Sequence, residues 1–161
     1  MRQLFRSAII AAMMLAPVPT GASERHLTVI SHDDAGTKRH AKLSLDQLEA
    51  LRQVEVVTDN DYLEGPASFS GPLLRDVVGE DELDPDRTIV ATALNDYSVE
   101  IPAVEVLEHD VILATRKDGR RMSVRDKGPI WIIYPMSDTP ELRDARYNNR
   151  LVWQLCHVEL Q

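Results

Sequence analysis

The run "DKGPIWIIYP", Asp126 to Pro135, constrains the fold of this chain more than any other segment. It is the most apolar continuous stretch after the N-terminal region, and a Gly-Pro turn and a second proline bound its apolar part. A short apolar run between turn residues is typical of a strand that is buried on both faces. Folding alone does not require Lys127 and Trp131 there, so a ligand site at the entry to this strand is a second interpretation.

The rest of the chain alternates between strand-like segments and short helices. Ser44 followed by Gln47 forms a capping-box pattern that predicts the start of a helix. Further short helices are predicted at Leu73–Val78, Ala103–Glu108 and Pro140–Arg146. The predicted strands are His26–Ile30, Val54–Thr58, Arg87–Leu94, Tyr97–Pro102, Asp110–Arg116, Arg120–Val124, Pro129–Pro135 and Arg150–Leu160. The segment Asp59–Leu74 is predicted to be a long turn-rich loop, and Lys117–Gly119 is predicted to be the turn of a hairpin between Asp110–Arg116 and Arg120–Val124. This pattern predicts an α+β fold, a single domain of mixed β-sheets with short helices.

The first residues carry the pattern of an export signal. Arg2 and Arg6 precede the apolar run Ala8–Val18, and small residues follow up to Ala22. The sequence therefore predicts a signal peptide over residues 1–22 and a periplasmic domain over residues 23–161. The apolar run is short for a membrane span, which disfavours an uncleaved anchor, and no membrane insertion is expected after cleavage.

Charge and cysteine content exclude some classes of function. The net charge of −8 gives an acidic surface that repels phosphate backbones, so nucleic-acid binding is not expected. Cys156 is the one cysteine in 161 residues, so the domain has no internal disulfide. Because Cys156 lies in an apolar strand-like run, we expect a buried small side chain rather than a reactive thiol.

Standard catalytic motifs are missing from the sequence, including phosphate-binding glycine loops and paired-cysteine zinc patterns. A histidine and aspartate group near the N-terminus has no spacing that fixes metal ligands, and we interpret it as solvated: His26, His32, His40, Asp33 and Asp34.

Two loops have the composition of a ligand site. Asn95, Asp96 and Tyr97 end a predicted strand with three polar side chains, and Arg125–Pro129 brings charge to the entry of the most buried strand. Ligand sites combine an apolar floor with a few convergent polar groups. The alternative is that Asn95 and Asp96 only make a turn and that Lys127 is only solvated.

Five segments resemble, in order and spacing, the molybdopterin-binding domain of sulfite oxidases. They are "FSGPLLRDVV", "NDYSVEIP", "VILATRKDGRRM", "KGPIWIIYP" and "LVWQL". The resemblance covers Val54 to Leu160 and implies the sulfite oxidase fold.

The departures from that family concern its active site. The family's molybdenum-binding cysteine belongs in the segment "VVTDNDYLEGPA", which has none, and Cys156 cannot be aligned with it. Trp131 stands in place of an active-site arginine, and Lys127 in place of the histidine before Gly128. The resemblance therefore implies loss of the metal–thiolate bond, so molybdenum is not expected and catalysis is disfavoured.

An exported domain of this family type without the metal-binding cysteine resembles the periplasmic pterin-binding regulators of the PruR type. The resemblance implies a non-metallated pterin stacked on Trp131 and a partner, the periplasmic portion of an inner-membrane cyclic di-GMP enzyme. One alternative is a small molybdopterin-dependent oxidoreductase without a protein thiolate, and another is a structural domain without a ligand. The predicted ligand-binding residues are Asn95, Asp96, Tyr97, Arg116, Lys127, Gly128 and Trp131.

Overall fold

The computed structural model describes residues 26–32 and 37–161. The expected signal peptide, Asp33 and Asp34 lie outside the described residues. The described part has short helices at Leu45–Ala50 (α1), Leu74–Val78 (α2), Ala103–Glu108 (α3) and Ala145–Asn148 (α4), with 3₁₀ turns at Glu80–Glu82, Val124–Asp126 and Pro140–Arg143. The strands are β1 His26–His32, β2 Lys38–Ser44, β3 Val54–Thr58, β4 Ala67–Gly71, β5 Thr88–Ala93, β6 Ser98–Pro102, β7 Ile112–Ala114, β8 Arg116–Lys117, β9 Arg120–Arg121, β10 Trp131–Ile133 and β11 Leu155–Leu160.

The strands form three sheets. A five-stranded sheet has the order β2-β1-β11-β5-β6, in which β1 and β11 are parallel and the other pairs antiparallel. A four-stranded antiparallel sheet has the order β3-β4-β8-β9, and β7 pairs with β10 in a sheet of two. The predicted α+β domain of mixed sheets with short helices is confirmed.

Strand β10 joins two hydrophobic clusters because its two faces are both buried. Ile130, Ile132 and Tyr134 belong to the cluster that lies against the five-stranded sheet. Trp131 and Ile133 belong to the second cluster, with residues of β3, β4 and β7. A strand with apolar neighbours on both faces needs an apolar residue at every position, which explains the continuous apolar run in the sequence.

Strand β4 approaches β7 closely at Gly71. A Cβ atom on Gly71 would lie 2.0 Å from the carbonyl oxygen of Leu113, so any larger residue would push the two strands apart. The approach lets the backbone of β4 bond the residue after β7, since the Thr115 N–H donates to the Ser70 carbonyl oxygen at 3.0 Å.

Helix α1 begins as the sequence predicts. The Ser44 hydroxyl accepts from the Gln47 backbone N–H at 3.2 Å, and the Ser44 N–H donates to the Gln47 side chain at 2.8 Å. This capping box satisfies two backbone donors that the first turn leaves without partners. The helix buries Leu48 against the core of the five-stranded sheet.

Four sequence predictions need correction. The segment after Thr58 was expected to be one long loop, but it contains β4, in which Ala67, Phe69 and Gly71 are buried and alternate with two serines. The last strand begins at Leu155 rather than Arg150. The expected long hairpin is confined to β8 and β9, because β7 pairs with β10 instead. The helix predicted from Pro140 is a 3₁₀ turn followed by the separate α4.

Within residues 26–32 and 37–161, no helix has the length and apolar character needed to cross a bilayer.

Candidate functional site

The β8–β9 hairpin is anchored to α1 by a cluster of charges. Arg116 and Arg121 lie opposite each other in the two strands, and both guanidinium groups bind the Glu49 carboxylate, at 3.0 and 2.8 Å. Arg121 also binds Asp46 at 2.5 Å. The hydrogen bond from Arg121 lowers the pKa of the Glu49 carboxyl below its ordinary value, against an opposing effect of burial. The predicted ligand residue Arg116 is therefore engaged with α1.

Beside this hairpin lies a cavity of about 700 Å³, which we call the basic cavity. Its lining combines five cationic side chains with three carboxylates and an apolar wall. The lining residues are Tyr62, Leu63, Glu64, Lys117, Asp118, Arg120, Arg121, Met122, Arg125, Asp126, Lys127 and Trp131. An excess of positive charge in a chain of net charge −8 favours a negatively charged ligand.

The segment before β10 fixes Lys127 at this cavity. Lys127 has φ 65°, and its carbonyl oxygen accepts from the Gln154 N–H at 3.0 Å. The next residue, Gly128, has no room for a side chain, because a Cβ atom would lie 2.5 Å from the Met122 carbonyl oxygen. Glycine is thus needed at this position for close backbone packing, while Lys127 extends toward the cavity.

Trp131 is a core residue whose ring also forms part of the cavity wall. Its side chain is 1% exposed and packs edge to face on Phe69, with ring centroids 5.4 Å apart. The indole N–H donates to the Leu151 carbonyl oxygen at 3.1 Å, so the donor is already used inside the protein. The Lys127 ammonium lies 5.5 Å from the ring centroid. A pterin stacked on this ring would therefore have to displace Lys127.

The other predicted loop lines a different and smaller cavity, of about 240 Å³, which we call the aromatic cavity. Its lining includes three aromatic rings and three asparagines. The lining residues are Tyr62, Ala93, Asn95, Tyr97, Asn148, Asn149, Leu151, Val152 and Trp153. Carboxamide groups beside aromatic rings suit a flat heterocycle that has both donors and acceptors at its edge.

The β5–β6 turn orients the predicted residues of this cavity. Asp96 has φ 65°, and the Asn95 side chain accepts from the Tyr97 N–H at 3.3 Å, closing the turn. The Tyr97 hydroxyl donates to the Asn149 carbonyl oxygen at 2.7 Å. Asn95 and Tyr97 line the aromatic cavity, whereas Asp96 is exposed and is not among its lining residues.

Sequence reasoning did not select Tyr62, which belongs to both cavities. Its ring meets Trp153 edge to face, with centroids 4.9 Å apart. Tyr62 lies in the segment between β3 and β4, where the sequence resemblance expects a metal-binding cysteine. The position of Tyr62 in that segment is the sequence feature that points to it.

The same segment also borders a third cavity, of about 280 Å³. Its acidic residues are Asp59, Asp61 and Glu64, and Arg143 supplies the cation. In the part of the chain that the structure describes, no three histidine, cysteine, aspartate or glutamate side chains are arranged to hold a metal ion.

Cys156 lies away from all three cavities, on β11. The expected buried position is wrong, because the residue is only partly buried. A register shift between Leu155 and His157 interrupts the alternation of β11, so Leu155 and Val158 are both buried while Cys156 and His157 between them are not. The thiol lies 3.3 Å from the Thr92 carbonyl oxygen and 3.0 Å from His157 Nδ1. Burial, with a smaller contribution from Asp96, raises the pKa of this thiol, which keeps it protonated.

The described residues form a small single domain of mixed sheets with short helices. The described fold superposes on the sulfane dehydrogenase SoxCD from Paracoccus pantotrophus with a TM-score of 0.60 and 13% sequence identity. The match covers 84% of this chain but only 38% of that chain. At this identity the likeness shows a shared fold. No family model and no curated protein matches the sequence.

Proposed function

We propose that this chain is a non-catalytic pterin-binding module with the sulfite oxidase fold. Two kinds of observation support the proposal. The sequence motifs resemble the molybdopterin-binding domain of sulfite oxidases, and the described fold superposes on that of a sulfane dehydrogenase. The likeness covers 84% of the chain.

The observation that carries the proposal is the aromatic cavity and its contact with the basic cavity through Tyr62. A pterin is a flat bicycle with amide and amino groups along one edge. The side-chain oxygens of Asn95 and Asn148 accept from the Tyr97 and Asp61 N–H groups, which leaves their NH₂ groups to donate to such an edge. Tyr62 and Trp153 present aromatic surface. An aromatic contact of this kind contributes about 0.5–1.5 kcal/mol beyond area burial.

The donor set does not fit a thiolate-bound molybdenum. The one cysteine, Cys156, is on β11 and lines none of the three cavities. The segment between β3 and β4 offers carboxylate and amide oxygens but no sulfur. The proposal therefore includes binding of the organic ring and leaves out oxygen-atom transfer on a cysteine-ligated metal.

The proposed role is to report pterin supply from the periplasm. The pterin-loaded domain would contact the periplasmic portion of an inner-membrane enzyme that makes or degrades cyclic di-GMP. This step rests on the resemblance to PruR-type regulators and on the predicted signal peptide.

Titration with a reduced pterin tests the binding step. Trp131 and Trp153 are the two tryptophans, so quenching of intrinsic fluorescence reports a ring that enters beside Trp153. We expect binding at micromolar concentrations and about fivefold weaker binding by Asn95→Ala, the effect of one hydrogen bond. Glu141→Gln, an exposed change that touches none of the three cavities, is the control.

Two results would overturn the proposal. One is the absence of any fluorescence or calorimetric response to reduced pterin at micromolar levels, which would favour a domain without this ligand. The other is stoichiometric molybdenum in protein purified from its native compartment, which would favour a small oxidoreductase.

A further inference from the structure

The two faces of the β8–β9 hairpin differ in how their charges are compensated. Arg116 and Arg121 are cross-strand partners and share the Glu49 carboxylate. Lys117 and Arg120 are also directly opposite each other, and both line the basic cavity. Like charges that face each other across two strands are destabilising. The Lys117–Arg120 pair therefore carries an electrostatic cost that the arginine pair does not.

No carboxylate in the described residues forms an ion pair with Lys117, Arg120, Arg125 or Lys127. All four line the basic cavity. Two of the three carboxylates in the lining are already hydrogen-bonded within the protein. Asp118 accepts from the Ser68 N–H at 3.1 Å, and Asp126 accepts from the Ser123 hydroxyl at 2.6 Å. The cavity thus retains cationic groups that a bound anion would neutralise.

We propose that Lys117, Arg120, Arg125 and Lys127 form an anion subsite for the tail of the ligand. This inference rests on the proposed function, since it places the pterin ring in the aromatic cavity. Tyr62 belongs to the walls of both cavities, and in this proposal the tail passes alongside Tyr62 from the ring site to the basic cavity. The ligand is then a pterin with a phosphate or carboxylate tail rather than a neutral pterin.

The anchoring of the hairpin favours this role. Glu49 and Asp46 hold the arginine face of the hairpin against α1, and the Asp118 carboxylate ties its turn to β4. The backbone that carries Lys117 and Arg120 is therefore placed before a ligand arrives, which reduces the entropy cost of binding.

Calorimetry with three dihydro- or tetrahydropterins tests the inference. The probes are 6-hydroxymethyl-dihydropterin, its diphosphate ester and tetrahydrofolate, whose tail carries glutamate carboxylates. At least one tailed probe is expected to bind about tenfold or more tightly than the tail-less probe, with the gain shrinking between about 50 and about 300 mM salt. Whichever tailed probe shows the gain identifies the tail as phosphate or carboxylate.

The variant Lys117→Ala/Arg120→Ala should lose most of this gain while binding the tail-less probe as the parent does. Arg146→Ala is the matched control, because Arg146 is an exposed arginine outside the three cavities. Melting temperatures of both variants show whether the fold is retained, and Lys117→Gln/Arg120→Gln replaces the first variant if it unfolds.

Equal affinity for all three probes, unchanged in the double variant, overturns the anion subsite and leaves the proposed function intact. Binding of inorganic pyrophosphate that the double variant loses, without a response to any pterin, overturns the proposed function and the tail assignment together.

Discussion

The Lys127 ammonium lies over the Trp131 ring, 5.5 Å from its centroid, at the point where the most buried strand meets the basic cavity. The structure places these two neighbouring features of the apolar segment in contact. A cation over an indole is attracted to the ring face and shields it from the cavity. Trp131 is therefore first a core residue, and Lys127 is the group that a ligand meets.

Removing the Trp131 side chain should cost stability because the ring fills the second hydrophobic cluster. Trp131→Ala is expected to lower the free energy of unfolding by about 3–5 kcal/mol. Trp131→Phe keeps an aromatic ring but loses the second ring of the indole and leaves the Leu151 carbonyl oxygen without its donor, for a loss of about 1–3 kcal/mol. Urea denaturation measures both, and a Trp131→Ala variant as stable as the parent would contradict the core assignment.

Gly128 should not tolerate a side chain, in contrast to Gly65. A Cβ atom on Gly128 would meet the Met122 backbone at 2.5 Å, whereas one on Gly65 would meet nothing within 4 Å. Gly128→Ala is expected to destabilise the fold by about 1–3 kcal/mol and Gly65→Ala to be nearly neutral. Thermal unfolding of the two variants side by side checks this, and equal melting temperatures would refute the close packing.

Glu49 should make the free energy of unfolding depend on pH in the acidic range. Arg121 lowers the pKa of this carboxyl in the folded state, so its contribution is present above the ordinary carboxyl pKa. That contribution is lost as the pH falls through the lowered folded-state pKa. We expect Glu49→Gln to flatten the fall in unfolding free energy between about pH 5 and about pH 2, and Glu141→Gln to leave it unchanged. If the free energy of unfolding falls with pH in the same way in the parent, Glu49→Gln and Glu141→Gln, this role of Glu49 is excluded.

Replacing Arg150 should lower the free energy of unfolding far more than replacing Arg146, although both guanidinium groups lie against the Tyr147 ring. Arg150 pairs with Glu105 where both side chains are mostly buried, 17% and 11% exposed. Arg146 pairs with Asp144 in solvent, 63% and 55% exposed.

Arg150→Ala leaves a buried carboxylate that retains only the Tyr134 hydroxyl as a donor, so about 3 kcal/mol should be lost. Arg146→Ala should cost at most about 1 kcal/mol. Chemical denaturation in the same buffer compares them, and similar losses in both variants would argue against a buried network.

Much of the fold follows from local patterns. The capping box at Ser44, the turn at Asn95-Asp96 and the apolar run through Trp131 each predict an element that the structure contains. These signals depend on neighbours within a few residues, through capping hydrogen bonds, turn geometry and side-chain alternation.

Strand β4 shows where local patterns fail. Phe69 and its alternating serines read as part of a turn-rich loop because glycines and prolines flank them. The segment becomes a strand through pairing with β3 and with β8, and β8 lies far along the chain. No local pattern encodes a partner at that separation.

The candidate site also has a part that the sequence predicts and a part that depends on contacts between distant segments. Sequence alone selected Asn95, Asp96 and Tyr97 at the end of one strand, Lys127 at the entry to another and Trp131 within it, and composition alone showed that one cysteine was available. Only the tertiary structure assigned Asn95 and Tyr97 to one cavity and Lys127 and Trp131 to another, with Tyr62 between them. It also tied Arg116 to Glu49 and left Lys117 and Arg120 facing the basic cavity. The physical reason is that side-chain type is a local property, whereas shared cavities and compensated charges depend on contacts between distant segments.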